Sequence, residues 1–291
     1  MRREPPVSVR RQLAEEVGFG CPVDGCGSPY LTWHHFDPAW ATRQHHNPAG
    51  MVALCRDHHP EADAGAFTVQ QLLEFKQVGR DRSRALGARF NWMRDKLLAV
   101  VGGNFFYETP IAVRVHDKPV VWFNRDESGR LLVNLQMLTA SDEHRMLMLD
   151  NFWVTEGSAE REIACPPSGR LMSAKYSNGD RLKIEFRELA SMEDLDRRYP
   201  PDGLPGDVKT RLAAAEVPLP DMPRSHAETV ERLGIDFPVA AVEITMEIAG
   251  TGLSFGPKRT SIATNTIAGG WMKDCAVGIQ IGDPSPIAPP E

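Results

Sequence analysis

Residues 21–59, CPVDGCGSPYLTWHHFDPAWATRQHHNPAGMVALCRDHH, carry six of the nine histidines and three of the five cysteines in the chain. That crowding decides how this region is read, because thiolate and imidazole are the side chains that bind zinc and other divalent ions. Cys21 and Cys26 flank a tight turn containing proline and glycine, and Cys55 and His58 repeat the two-ligand arrangement across one turn of chain. Two such knuckles can close a tetrahedral Zn2+ site, and a short segment with little core of its own needs that staple. His34, His35, His45, His46 and His59 are then left over. A saturated structural site has no use for them, so the spacing predicts two sites rather than one.

Working outward, LTWHHFDP predicts a strand over 31–35, ended by Asp37 and Pro38, and GMVALC predicts a second strand running into Cys55. RDHHPEADAG predicts a helix carrying His58 and His59, with a loop at Gly65 and a new helix from Thr68. The order is therefore zinc knuckle, strand with a histidine pair, loop with a second pair and Asn47, strand, helix. This order resembles the HNH endonuclease family, whose ββα-metal finger holds one catalytic divalent ion between a hairpin and a helix. The resemblance covers residues 8–66.

Carried over residue by residue, the resemblance implies that His34 and His59 hold the catalytic ion and that His35 is the general base. Cys21, Cys26, Cys55 and His58 keep a structural zinc, with His58 standing where the family more often has cysteine. Asn47 becomes the middle letter of the motif, three residues ahead of the place where the family usually has its asparagine; Gly50 stands there in this chain. His45 and His46 are expected in an exposed loop, as surface residues or substrate contacts. Asp37 and Asp63 are expected at solvated loop and helix positions, with partnership to a histidine as the alternative.

The chemistry agrees with these roles. Phosphodiester hydrolysis needs a nucleophile made from water, relief of negative charge on a pentavalent phosphate, and help for the departing oxygen. Mg2+ or another divalent cation with two or three protein ligands leaves positions for the phosphate and the leaving oxygen. A neutral imidazole can take the proton from water near pH 7.

Beyond the finger, Thr68 predicts the N-cap of VQQLLEFKQVG, and a second helix is expected over about Asp81–Val100, with Leu86, Phe90, Met93, Leu97 and Leu98 on one face. Arg80, Arg82, Arg84 and Arg89 crowd this connector and are the expected resting place for a phosphate backbone. After residue 104 the pattern changes to alternation, as at Ile111, Val113 and Val115, at Leu182, Ile184 and Phe186, and at Val242, Ile244, Met246 and Ile248. Period two bounded by turn residues predicts strands. Asn178-Gly179 and Asp126 to Gly129 predict hairpin turns, and SIATNTIAGGWMKDCAVGIQI over 261–281 is read as stacked short strands of a solenoid or the closing strands of a sandwich. Tyr199 to Pro223, rich in proline around a short Ala-rich helix, reads as an excursion between strands.

The expected fold is therefore α+β: an HNH module over 1–66, a helical connector over 67–103, and a β-rich domain over 104–291, either sandwich or β-solenoid. Residues 1–99 hold 13 Lys and Arg against 11 Asp and Glu, a net of +2, whereas the rest of the chain holds 20 against 28, a net of −8. Any nucleic acid should thus meet the first hundred residues. No stretch is apolar enough to span a membrane, no secretion signal is evident, and Cys165 and Cys275 are isolated, so a reduced, cytoplasmic protein is expected. The functional expectation is a metal-dependent endonuclease acting on double-stranded DNA, in a restriction or antiphage defence setting, with homo-oligomerisation through the β-rich part a further possibility. The competing expectation is a zinc-bearing binding module whose nuclease centre has been lost.

Overall fold

The computed structural model describes residues 3–82, 86–140, 145–155, 161–201, 214, 216 and 225–283. The chain divides into two compact units, one formed by Met1–Trp92 with Asn134–Lys183 and the other by Met93–Val133 with Ile184–Glu291. The architecture is mixed α+β, with a large β-rich region of mainly antiparallel strands.

The first unit opens with α1 (Val7–Glu16), then β1 (Leu31–His35), a single 3-10 turn at Pro48–Gly50, β2 (Met51–Cys55), α2 (His58–Asp63), α3 (Val69–Arg82) and β3 (Leu86–Arg89). β1 and β2 pair antiparallel from Leu31 opposite Cys55 to His35 opposite Met51. All five residues of β2 are buried, because helices cover it: Leu13 and Val17 at the end of α1 and Leu72 of α3 share one apolar cluster with Met51, Val52, Ala53 and Leu54. Lys76 of α3 ties this packing together. Its ammonium lies 2.5 Å from Glu16 Oε2 and 2.7 Å from the carbonyls of both Pro48 and Met51.

Local chemistry sets the element ends as expected. Thr68 Oγ1 accepts from the Gln71 amide while Gln71 Oε1 accepts from the Thr68 amide, a reciprocal capping box that starts α3. Gly65, at φ +81, closes α2 by turning its amide back to Ala62. Before β2, the Phe36 and Asp37 amides both donate to the Gly50 carbonyl, and a Cβ at Gly50 would stand 1.7 Å from the Asp37 oxygen. No side chain fits there, asparagine included.

The helix expected over Asp81–Val100 is a misreading. α3 stops at Arg82, β3 follows, and Leu97–Val101 forms β4, buried along its whole length between the strands it pairs with. The apolar residues at 86, 90, 93 and 97 mimic a helical stripe, but LLAVV is a short continuous apolar run of the kind a doubly covered strand uses, and Gly87 weakens a helix. Phe90 and Leu98 are buried in different units.

The chain continues through β4, β5 (Asn104–Tyr107), β6 (Ile111–Val115), β7 (Lys118–Arg125) and β8 (Leu131–Gln136), and re-enters the first unit with β9 (Met146–Leu149), β10 (Phe152–Thr155), β11 (Arg161–Ala164), β12 (Leu171–Tyr176) and the start of β13 (Arg181–Leu189). In the first unit β10 lies between β9 and β3, both antiparallel to it, and β11 pairs with β12. Asp150 and Asn151, both at positive φ, make the two-residue turn between β9 and β10. Both anticipated turns form. Asp126 Oδ1 accepts from the Ser128 and Arg130 amides at one, and at the other Gly179 alone takes positive φ while Asn178 Oδ1 accepts from the Asp180 amide.

The second unit ends with α4 (Met192–Arg198), α5 (Ala227–Leu233) and β14 (Val239–Glu247), β15 (Leu253–Phe255), β16 (Thr260–Ile262), β17 (Asn265–Ile267), β18 (Trp271–Lys273) and β19 (Val277–Ile281). β14 to β17 form an antiparallel meander, while β4 runs parallel to β14 and antiparallel to β5. The 261–281 stretch does form short strands, but they do not stack as a solenoid: β18 pairs parallel with β5 and β19 parallel with β6. Trp271 stacks on Phe105 at 4.2 Å and donates to His226 Nδ1, whose other nitrogen donates to the Tyr199 carbonyl. The Ala-rich helix expected around 210 lies outside the described residues. Among the described residues, no helix is long and apolar enough to cross a membrane.

Candidate metal centres

The finger brings two ligand groups together. In the first, the ligand atoms of Cys21, Cys26, Cys55 and His58 all lie within 4.8 Å of one another. Cys21 Sγ and Cys55 Sγ stand 3.4 and 3.1 Å from His58 Nδ1, and Cys26 Sγ stands 3.7 Å from Cys55 Sγ. A tetrahedral zinc with Zn–S bonds of about 2.3 Å requires S···S edges of about 3.8 Å, so the group is already near the size of its ion. The cysteines are free thiols rather than disulfides. Burial pushes the Cys21 and Cys26 thiols up, so thiolates exist there only if a cation offsets the desolvation. This cluster can hold a metal ion such as zinc, and all four expected ligands are in it.

The second group is His34, His59 and Asp63. His34 comes from β1, His59 and Asp63 from successive turns of α2, and the two imidazoles meet edge to face with centroids 5.3 Å apart. His34 Nδ1 lies 3.1 Å from Asp63 Oδ1 and His59 Nε2 lies 3.6 Å from Asp63 Oδ2. The Thr32 hydroxyl donates to the Leu54 carbonyl and so accepts from His59 Nδ1 at 2.7 Å. That hydrogen bond places the ring proton on Nδ1 and leaves Nε2 as a bare lone pair facing the carboxylate. His59 Nε2 is buried and has no hydrogen-bond partner among the described residues. Burial, opposed by Asp63, holds both imidazoles below their usual pKa, which keeps them in the neutral form that ligates metals. Asp63 is half exposed, so the group opens to solvent on the carboxylate side.

Two imidazoles and one carboxylate fit a divalent transition ion. Of the expected Mg2+ or another divalent cation, they do not support Mg2+, which is held through carboxylate, water and phosphate oxygens. Asp63, expected at a solvated helix position or as a partner to a histidine, is here a ligand candidate. Its signal was present: four residues after His59 on a helix, it shares that residue's face.

His35 does not join this group. Adjacent residues of a strand project to opposite faces, and the His35 ring lies among Trp40, His45 and His46, with centroids at 4.8, 5.2 and 6.1 Å. Its Nε2–H donates to the His45 carbonyl, leaving Nδ1 buried and unpartnered among the described residues. Burial, with His45 adding to it, lowers the His35 pKa to about 4. His45 is not an exposed loop residue: it is buried, donates from Nε2 to the Pro38 carbonyl and accepts at Nδ1 from the Asn47 amide. His46 stacks on Trp40 at 5.5 Å. Asn47 caps the 3-10 turn, its side chain accepting from the Ala49 amide, and so shapes the loop that carries the His45 carbonyl.

The arginines expected to meet a phosphate backbone are spread over separate elements. Arg80 and Arg82 lie in the last turn of α3, Arg84 lies outside the described residues, and Arg89 ends β3 opposite Phe152. No family model, curated protein or solved structure matches this chain.

Proposed function

We propose that the first unit is a metal-dependent phosphodiesterase of the HNH type, cutting DNA with a catalytic ion held by His34, His59 and Asp63 beside a structural zinc. One observation carries this reading: a second, solvent-open ligand group, with a bare and pre-oriented His59 Nε2, stands next to a complete Cys3His staple. A stapled scaffold alone has no use for it. When bound, a divalent ion there supplies Lewis-acid polarisation of the phosphate and charge for the departing oxygen.

The chain's own groups do the rest. Thr32 fixes the donor nitrogen of His59, and the carboxylate of Asp63 faces the side from which a strand can approach. His35 is locked in one tautomer by the His45 carbonyl, so its free Nδ1 lone pair is the acceptor for a proton taken from water. A ring with so low a pKa is neutral throughout the physiological range.

The test combines metal analysis with plasmid cleavage. The parent chain should hold one tightly bound zinc and a second divalent ion, and cut plasmid DNA with Mn2+. His34→Ala, His59→Ala and Asp63→Ala should each keep the zinc, lose the second ion and lose cleavage, and His35→Ala should keep both ions and lose cleavage. A parent chain that holds one ion only, or cleavage unchanged in His35→Ala, sinks the assignment. The position of His35 outside the ligand group favours a second reading, a zinc-stapled binding module with no catalytic centre, and a single ion per chain is the result that selects it.

A further inference from the structure

Arg3, ahead of α1, reaches the second ligand group. Its Nη2 lies 3.9 Å from Asp63 Oδ2, the same oxygen that His59 Nε2 faces at 3.6 Å. An ion bound to that oxygen must therefore share it with a guanidinium. We propose, resting on the nuclease reading above, that Arg3 is a displaceable cation: it competes with the divalent ion for Asp63 and, once displaced, holds the phosphate of the nucleic-acid strand at the site.

The charges favour both halves of this exchange. With neutral imidazoles, Asp63 gives the ligand group a charge of −1, which attracts Arg3; a divalent ion turns it to +1, which repels Arg3 and leaves it beside the place where a phosphate binds. The other groups facing this spot are the imidazoles of His34 and His59. A guanidinium presents a planar fork to phosphate oxygens and never deprotonates, so it stays available at any physiological pH. At 61% side-chain exposure Arg3 is free to swing, and its contact with Asp63 is weak enough to give up.

The experiment uses the full chain with its structural zinc in place and compares the parent with Arg3→Ala, Arg3→Lys and, as a control, Arg10→Ala, whose arginine pairs with Glu4 instead. Mn2+ binding is read by calorimetry. Binding of a short fluorescent DNA duplex in Mn2+ is read by anisotropy at several salt concentrations, in a His35→Ala background to prevent cutting. Arg3→Ala should bind Mn2+ about threefold tighter, since a competing exposed ion pair is gone. The slope of log affinity against log salt should fall by about one, the signature of one lost phosphate contact. Arg3→Lys keeps the charge and should keep the parent's salt slope while binding the duplex less tightly for want of the fork, and Arg10→Ala should behave like the parent. Arg3→Ala with unchanged or weaker Mn2+ binding, or with an unchanged salt slope, overturns the exchange while leaving the nuclease reading intact, provided the parent takes up Mn2+ and DNA. A parent that takes up no second ion overturns both.

Discussion

At the scale of single residues, the second ligand group depends on a donor that ligates nothing. Thr32 passes the hydrogen bond from His59 to the Leu54 carbonyl and so decides which imidazole nitrogen is bare. Thr32→Val keeps shape and strand propensity but frees the His59 tautomer. The second ion should then bind about 10- to 100-fold more weakly, with zinc content unchanged, as loss of a ligand's hydrogen-bond partner does elsewhere; calorimetric affinity within twofold of the parent would count against the role. Gly50 is constrained by space rather than by conformation, since a Cβ would overlap the Asp37 carbonyl. Gly50→Ala should lower stability by about 1–3 kcal/mol through forced backbone movement, and an unshifted denaturation midpoint would show that the Asp37 turn yields freely.

At the scale of elements, the finger is held by α1 and α3, which carry none of the candidate ligands. α3 begins with its own capping box and reaches across to the start of β2 through Lys76, whose ammonium satisfies Glu16 and two carbonyls at once. Lys76→Met keeps the aliphatic stem and removes the charge, leaving Glu16 without its cation and the Pro48 and Met51 carbonyls short of a donor. The loss should be on the order of 2 kcal/mol or more, because breaking a largely buried charge network strands its partners. Urea denaturation checks it: a lower midpoint at constant slope is expected, and a midpoint equal to the parent's would mean that water replaces the ammonium without cost. The same scale holds the clearest departure from the sequence reading, since the stripe from Leu86 to Leu98 fits a helix on paper and is two strands in the fold.

At the scale of the whole molecule, each unit is assembled from two separate stretches of chain. The finger with its Cys and His cluster is one part of a unit that also contains β9 to β12, so an ion held there would bear on more than the residues that ligate it. Removing zinc with a strong chelator should lower the thermal midpoint by at least about 5 °C, and re-adding Zn2+, but not Mg2+, should restore it. A midpoint indifferent to chelation would mean that the apolar cluster around β2 suffices without the ion. The β-rich second unit carries no comparable ligand group among its described residues.

What the sequence determined by itself was local and chemical. Ligand spacing marked the Cys3His staple, the five-residue runs at 31–35 and 51–55 marked the hairpin, and Thr68 with Gln71 marked the start of α3, because each signal lies within a few residues of the structure it specifies. The resemblance had paired His34 with His59, but tertiary structure alone decided that Asp63 joins them and that His35 does not. Only the hairpin's register and the docking of α2 bring His34 to His59 and Asp63, and only the fold of the 36–50 loop turns His35 toward the His45 carbonyl instead. The strand identity of Leu97–Val101 was likewise set by its parallel pairing with β14, a partner far along the chain that no local period can encode.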